Sequence, residues 1–140
     1  MREILFKAKR ICDGEWVEVY YLRDQYHLRG KDIIFYRKDS DRFTVYTDRI
    51  NIETLCQFTG LTDKSNKRIW ENDIVNHNGE YALVKFGMYC SSFDYGSYNL
   101  GFYVDFPEET FYRKELGYWR RKVETSGNVF DNPELLQEEH

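Results

Sequence analysis

Hydrophobic and polar residues alternate along most of this chain, at the period of extended backbone. Ile4, Phe6 and Ala8 fall on one side of such a strand and Glu3, Lys7 and Lys9 chiefly on the other. Asp13-Gly14 then supplies a turn before a second run at 16–22, so residues 2–22 predict a β-hairpin. A second pair of short runs, 33–37 and 43–47, is joined by the polar stretch 38–42 and predicts another hairpin. The charged segment 23–31 between them predicts a loop with a short turn of helix. Five more runs follow, at 52–58, 73–77, 81–86, 100–106 and 121–130. Ala82, Val84 and Phe86 share one face of their strand, as do Phe102, Val104 and Phe106 of theirs, and these six are the expected core. Short strands separated by tight turns suit a small barrel, because closing a sheet removes most of its exposed edges. Near the end, Asn132 can cap, Pro133 suits a first helical position and Glu134 favours the positive end of the dipole, which predicts one helical turn pinned by Leu135 and Leu136.

Composition narrows this picture to an all-β domain. The chain has 140 residues, enough for one domain with a real core, and it divides into an expected hairpin region at 1–50 and a barrel at 51–140 within one compact unit. Its 12 Tyr and 10 Phe against 2 Pro favour half-buried strands over helices or disorder. The net charge of −4 comes from 24 acidic and 20 basic residues mixed along the chain, which argues against generic DNA coating, since that relies on clustered cations displacing counterions. No window approaches the length of a membrane span, and no signal-peptide core stands at the start. Cys12, Cys56 and Cys90 are far apart and odd in number, and are expected as reduced thiols. His140 reads equally as native or as the remnant of a purification tag.

Chemistry-bearing constellations are sparse. His27, His77 and His140 stand on separate segments, with no His or Cys at metal-ligand spacing, so no metal or other cofactor is expected. Gly79, Gly87, Gly96 and Gly101 are scattered and form no phosphate loop. Ser91-Ser92, Cys90 and His77 could combine as nucleophile and base, a set that chance spacing supplies in many chains. Two segments remain as binding candidates. In 111–122, five basic residues interleave with four aromatics, and Tyr112, Arg113, Tyr118, Trp119, Arg120 and Arg121 could form a platform for single-stranded nucleic acid. The same pattern also describes an amphipathic strand or helix with solvated cations and a core Tyr118 or Trp119. In 88–99, Tyr89, Phe93 and Tyr95 stand among serine, glycine and asparagine, the composition of an adaptable binding loop and equally of a hairpin tip.

Two ordered blocks carry a resemblance. Gln57-Phe58-Thr59-Gly60-Leu61, Asp63-Lys64-Ser65-Asn66-Lys67 and Ile69-Trp70-Glu71-Asn72-Asp73-Ile74-Val75 form the first, and residues 127–136, from Gly127-Asn128-Val129-Phe130 to Pro133-Glu134-Leu135-Leu136, the second. Together they resemble the YopX family of small proteins found mainly in bacteriophages and prophages; segments 23–52 and 88–120 show no such likeness. The resemblance implies an SH3-like barrel after residue 51. With no apolar leader or membrane span in the sequence, the bacterial host cytoplasm is the expected compartment, and the sparse catalytic hardware together with fold-level analogy makes a non-enzymatic phage or prophage accessory protein the expected function. Its expected role is to bind a host or phage macromolecule through loop 88–99 and the 111–122 patch, with nucleic acid as the alternative and self-association through exposed aromatic edges also open. Asn66 and Asn72 stand where the family pattern has glycine. Asparagine is the side chain that best tolerates a left-handed backbone, so both positions are expected at positive φ. Glu71 and Asp73 share a strand face and could act as a carboxylate pair, but an Asp beside a turn more often bonds its own backbone.

Overall fold

The computed structural model of the chain describes residues 5–22, 33–37, 45–90, 98–107 and 113–136. It is mainly β, as the alternation predicts, with nine strands in two antiparallel sheets among those residues. They are β1 (Phe6–Arg10), β2 (Trp16–Leu22), β3 (Ile33–Arg37), β4 (Val45–Thr62), β5 (Arg68–Trp70), β6 (Asp73–His77), β7 (Glu80–Tyr89), β8 (Asn99–Asp105) and β9 (Glu124–Asn128). A short helix, α1 (Leu116–Trp119), and a 3-10 turn (Pro133–Leu136) complete them. The expected loop at 23–31 falls outside the described residues. The chain forms two compact units, Met1–Phe58 and Thr59–His140, and the boundary lies inside β4.

In the first unit, β1 and β2 pair as the expected hairpin, with Gly14 at φ 73° supplying the turn. β2 pairs with β3, and β3 with the start of β4. Further along, β4 pairs with β1 through a bulge between Lys7 and Lys9, so the circuit of four strands closes on itself. Of two runs read as separate strands, 43–47 and 52–58, the described part of the first, from residue 45, and the whole of the second thus belong to one strand that changes partner midway. Ala8 and Ile50 are buried there, with Phe6, Val17 and Leu55 packed against them.

The second unit is a half-barrel whose sheet has the order β8-β7-β6-β9. Ile69, Val75, Ala82, Val84, Val104, Phe106, Leu116, Trp119 and Val123 form one buried cluster, with Phe102 partly buried against it. Five of the six expected core residues therefore face this cluster. Phe86 does not: it is 49% exposed, because β7 and β8 run past the end of the core. The long run at 121–130 shortens to β9, since its first residues follow α1 and bend to place Val123 in the core.

Both asparagines in the family block have the expected backbone, with φ of 62° at Asn66 and 72° at Asn72. Asn78, at 51°, is a third such position, in the Asn78-Gly79 turn between β6 and β7. The two blocks that carry the resemblance meet in space: β6 pairs with β9, and the Val129 amide donates to the Asn72 carbonyl at 3.0 Å. Gly127 allows this closing turn because a side chain there would stand 2.3 Å from the Asn132 amide oxygen, which accepts from the Asn128 N–H. The 3-10 turn begins at Pro133 as expected and lies against β7.

Candidate functional site

The first block is built around one carboxylate. Asp63 is 3% exposed, and its Oδ1 accepts from the Ser65 and Lys67 amides at 2.8 and 2.9 Å. Oδ2 accepts from the Thr125 amide and hydroxyl at 2.9 and 3.0 Å. Burial alone would raise the pKa of this group, but the Thr125, Lys67 and Ser65 donors outweigh it and hold Asp63 below the ordinary carboxylate value. Asp73, also buried, accepts from the Trp70 amide at 2.8 Å. It thereby fixes the turn at Asn72, while neighbouring Glu71 is half-buried. Both aspartates organise backbone, and among the described residues no group of three His, Cys, Asp or Glu is placed to hold a metal ion.

The 111–122 segment divides by burial. Trp119 is 4% exposed, its ring packs on Phe106 at 4.8 Å between centroids, and its Nε1–H donates to the Arg113 carbonyl at 2.8 Å. The ring serves the core and offers no face to a base. His77 meets Trp119 edge-on at 5.0 Å and donates from Nδ1 to the Lys122 carbonyl, an oxygen that can only accept. Arg120 is turned inward as well, donating to the Thr62 carbonyl and hydroxyl at 3.1 Å. Tyr118 and Arg121 are exposed. The Tyr118 ring already has Arg113 at 4.4 Å and Lys122 at 5.0 Å from its centroid, and Arg113 is ion-paired with Glu115. Tyr112, Phe93 and Tyr95 lie outside the described residues.

The two candidate segments converge at Glu115. Tyr89, at the end of β7, stacks against Tyr103 of β8 at 5.2 Å, and Tyr103 bridges Glu115 in the backbone. Burial first, and the Glu115 charge second, push the Tyr89 phenol up. One polar face of the hairpin thus runs from Tyr89 through Tyr103 and Glu115 to Arg113 and Tyr118, with Lys85 and Asp105 paired beside it at 2.7 Å.

The other face is apolar. Val84↔Val104, Phe86↔Phe102 and Met88↔Leu100 are successive cross-strand pairs on one side of β7 and β8. The first pair is fully buried, whereas Phe86, Met88 and Leu100 are 49, 66 and 71% exposed. The rings of Phe86 and Phe102 meet edge-on at 4.9 Å. Alternation alone places Phe86 in the core and leaves Met88 and Leu100 unassigned. The available signal is length: ten residues of β7 exceed what a small core spans.

With both blocks joined by β6, β9 and the Asp63 network, the comparison with known families becomes decisive: residues 5–137 match the family model described as YopX protein. The chain belongs to the YopX family. No curated protein matches it. In this YopX chain the two blocks that carry the resemblance lie at the turns and seams of the half-barrel, and the family match also spans the hairpin that carries Phe86, Met88 and Leu100.

Proposed function

We propose that this YopX protein is a non-enzymatic binding module, a phage or prophage accessory protein, that docks a protein partner on the outer apolar face of the β7–β8 hairpin. The observation that supports this is the exposure of Phe86, Met88 and Leu100 as one strip continuous with the core. Large apolar side chains grouped on a surface are the usual mark of an interaction site, and an uncharged strip suits a protein better than a phosphate backbone. The single-stranded nucleic-acid reading has less support. Of its six residues, Trp119 is buried, Arg120 is bonded to Thr62, and Arg113 is shared between Glu115 and the Tyr118 ring.

A photo-crosslinking residue placed at Met88, compared with one at exposed Glu80, tests the proposal in host lysate. A discrete protein adduct at position 88 that vanishes with Phe86→Ser is expected. Equal labelling at both positions would overturn it. Steeply salt-dependent binding of a labelled single strand, lost on Arg113→Ala/Tyr118→Ala, would favour the other reading.

A further inference from the structure

Asn78-Gly79 is the single Asn-Gly pair in the chain, and it forms the whole loop between β6, which ends at His77, and β7, which begins at Glu80. Both residues are exposed, and both have positive φ, 51° and 91°, the pattern of a type I′ hairpin turn. His77 pairs with Glu80 at its base. In such a loop the ladder uses the backbone groups of the flanking pair, and the N–H of the second loop residue has no strand partner.

That nitrogen is a nucleophile aimed from next door at the Asn78 side chain. Once it loses its proton, Gly79 N can attack Cγ of Asn78: the N–Cγ bond forms, the Cγ–Nδ2 bond breaks, and ammonia leaves with a proton from solvent. Water then opens the resulting cyclic imide at either carbonyl, giving aspartate or isoaspartate. Glycine obstructs the attack least, because it has no Cβ. Here, however, the nitrogen is engaged: the Gly79 N–H donates to Asn76 Oδ1 at 2.7 Å. Asn76 is half-buried and stands in register with Tyr81 of β7 on one side and Glu124 of β9 on the other, so the acceptor is mounted on paired strands rather than on the loop. The bond keeps the proton on the nitrogen and fixes the direction of its N–H.

We propose that Asn78 is a deamidation site of this protein and that the Asn76 side chain sets its rate, guarding the turn while the end of the hairpin stays closed. Isoaspartate at this position carries the backbone through the former side chain and so lengthens a two-residue loop by a methylene, which a type I′ turn does not accommodate. It also adds a carboxylate two residues from Glu80. The strands on either side, β6 and β7, are the inner two of the sheet order β8-β7-β6-β9, so the change strikes the centre of the second unit.

The full chain, held at mildly alkaline pH, tests this when the peptide containing Asn78 is followed by mass spectrometry for conversion of the amide to an acid. Folded wild type should convert about tenfold or more slowly than the same chain in urea. Asn76→Ala should convert about tenfold faster than folded wild type, the weight of one hydrogen bond, and Asn76→Asp, which retains an acceptor, should stay slow. Hydrogen exchange separates a local effect from general loosening: in Asn76→Ala the Gly79 amide should exchange faster while that of buried Val75 is unchanged. Folded wild type converting as fast as in urea, Asn76→Ala no faster than wild type, Asn76→Asp as fast as Asn76→Ala, or a rise accompanied by faster exchange at Val75 would overturn the proposal.

Discussion

The base of the half-barrel and the outer half of its β7–β8 hairpin are made from the same strands and the same residue types, yet they behave oppositely. At the base, Val84, Val104, Ile69 and Trp119 are buried together, and the Asn72 amide ties the turn block to the Val84 carbonyl at 2.8 Å. Two residues further out, the same face of β7 shows Phe86 half in solvent. Alternation assigns a side chain to a face of a strand; whether that face is covered depends on what the rest of the chain can place over it. Here α1 supplies Leu116 and Trp119 to the base, and the described residues supply no such cover farther along.

The largest test of this contrast is Trp119→Ala. Removing a buried ring that also donates to the Arg113 carbonyl is expected to cost about 3–5 kcal/mol of unfolding free energy, measured by urea denaturation. A cost below about 1 kcal/mol would mean that the base is no better packed than the hairpin.

Asp63→Ala probes the polar half of the base. It leaves the Ser65, Lys67 and Thr125 amides without their acceptor, and the expected loss is about 3 kcal/mol, with Asp63→Asn retaining part of it. The linkage to pH has a definite sign. The folded-state pKa of Asp63 lies below its ordinary 3.8, so its contribution is fully present above that value and is lost as pH falls through the lower folded value. Urea midpoints measured downward from neutral pH should fall more steeply below about pH 4 in wild type than in Asp63→Asn. Parallel curves would remove Asp63 from the account.

Backbone geometry was the most legible part of the sequence. An asparagine where a family pattern carries glycine implies positive φ, and Asn66 and Asn72 have it. Asn72→Val should therefore cost about 1–2 kcal/mol, and Asn72→Gly close to nothing, by the same denaturation measurement. Strand positions were legible too, because period-two alternation is local. What the sequence could not show is partner choice: the switch of β4 from β3 to β1 depends on contacts far apart in the chain. The candidate site was legible only in outline. Interleaved cations and aromatics at 111–122 do not reveal that Trp119 and Arg120 turn inward while Tyr118 stays out, since a four-residue helix there replaces the period of a strand.

The smallest expected effect is the sharpest on the comparison itself. Phe86→Ser removes a large apolar side chain from the same face as Val84, and if the outer hairpin belonged to the core it would cost several kcal/mol. Because Phe86 is 49% exposed and its ring touches mainly Phe102, the expected change in unfolding free energy is within about 1 kcal/mol. The crosslink at Met88 should nevertheless be lost. Stability nearly unchanged with docking abolished would separate the two roles of one β-strand, whereas a variant as unstable as Trp119→Ala would return Phe86 to the core and remove the main support for a binding face.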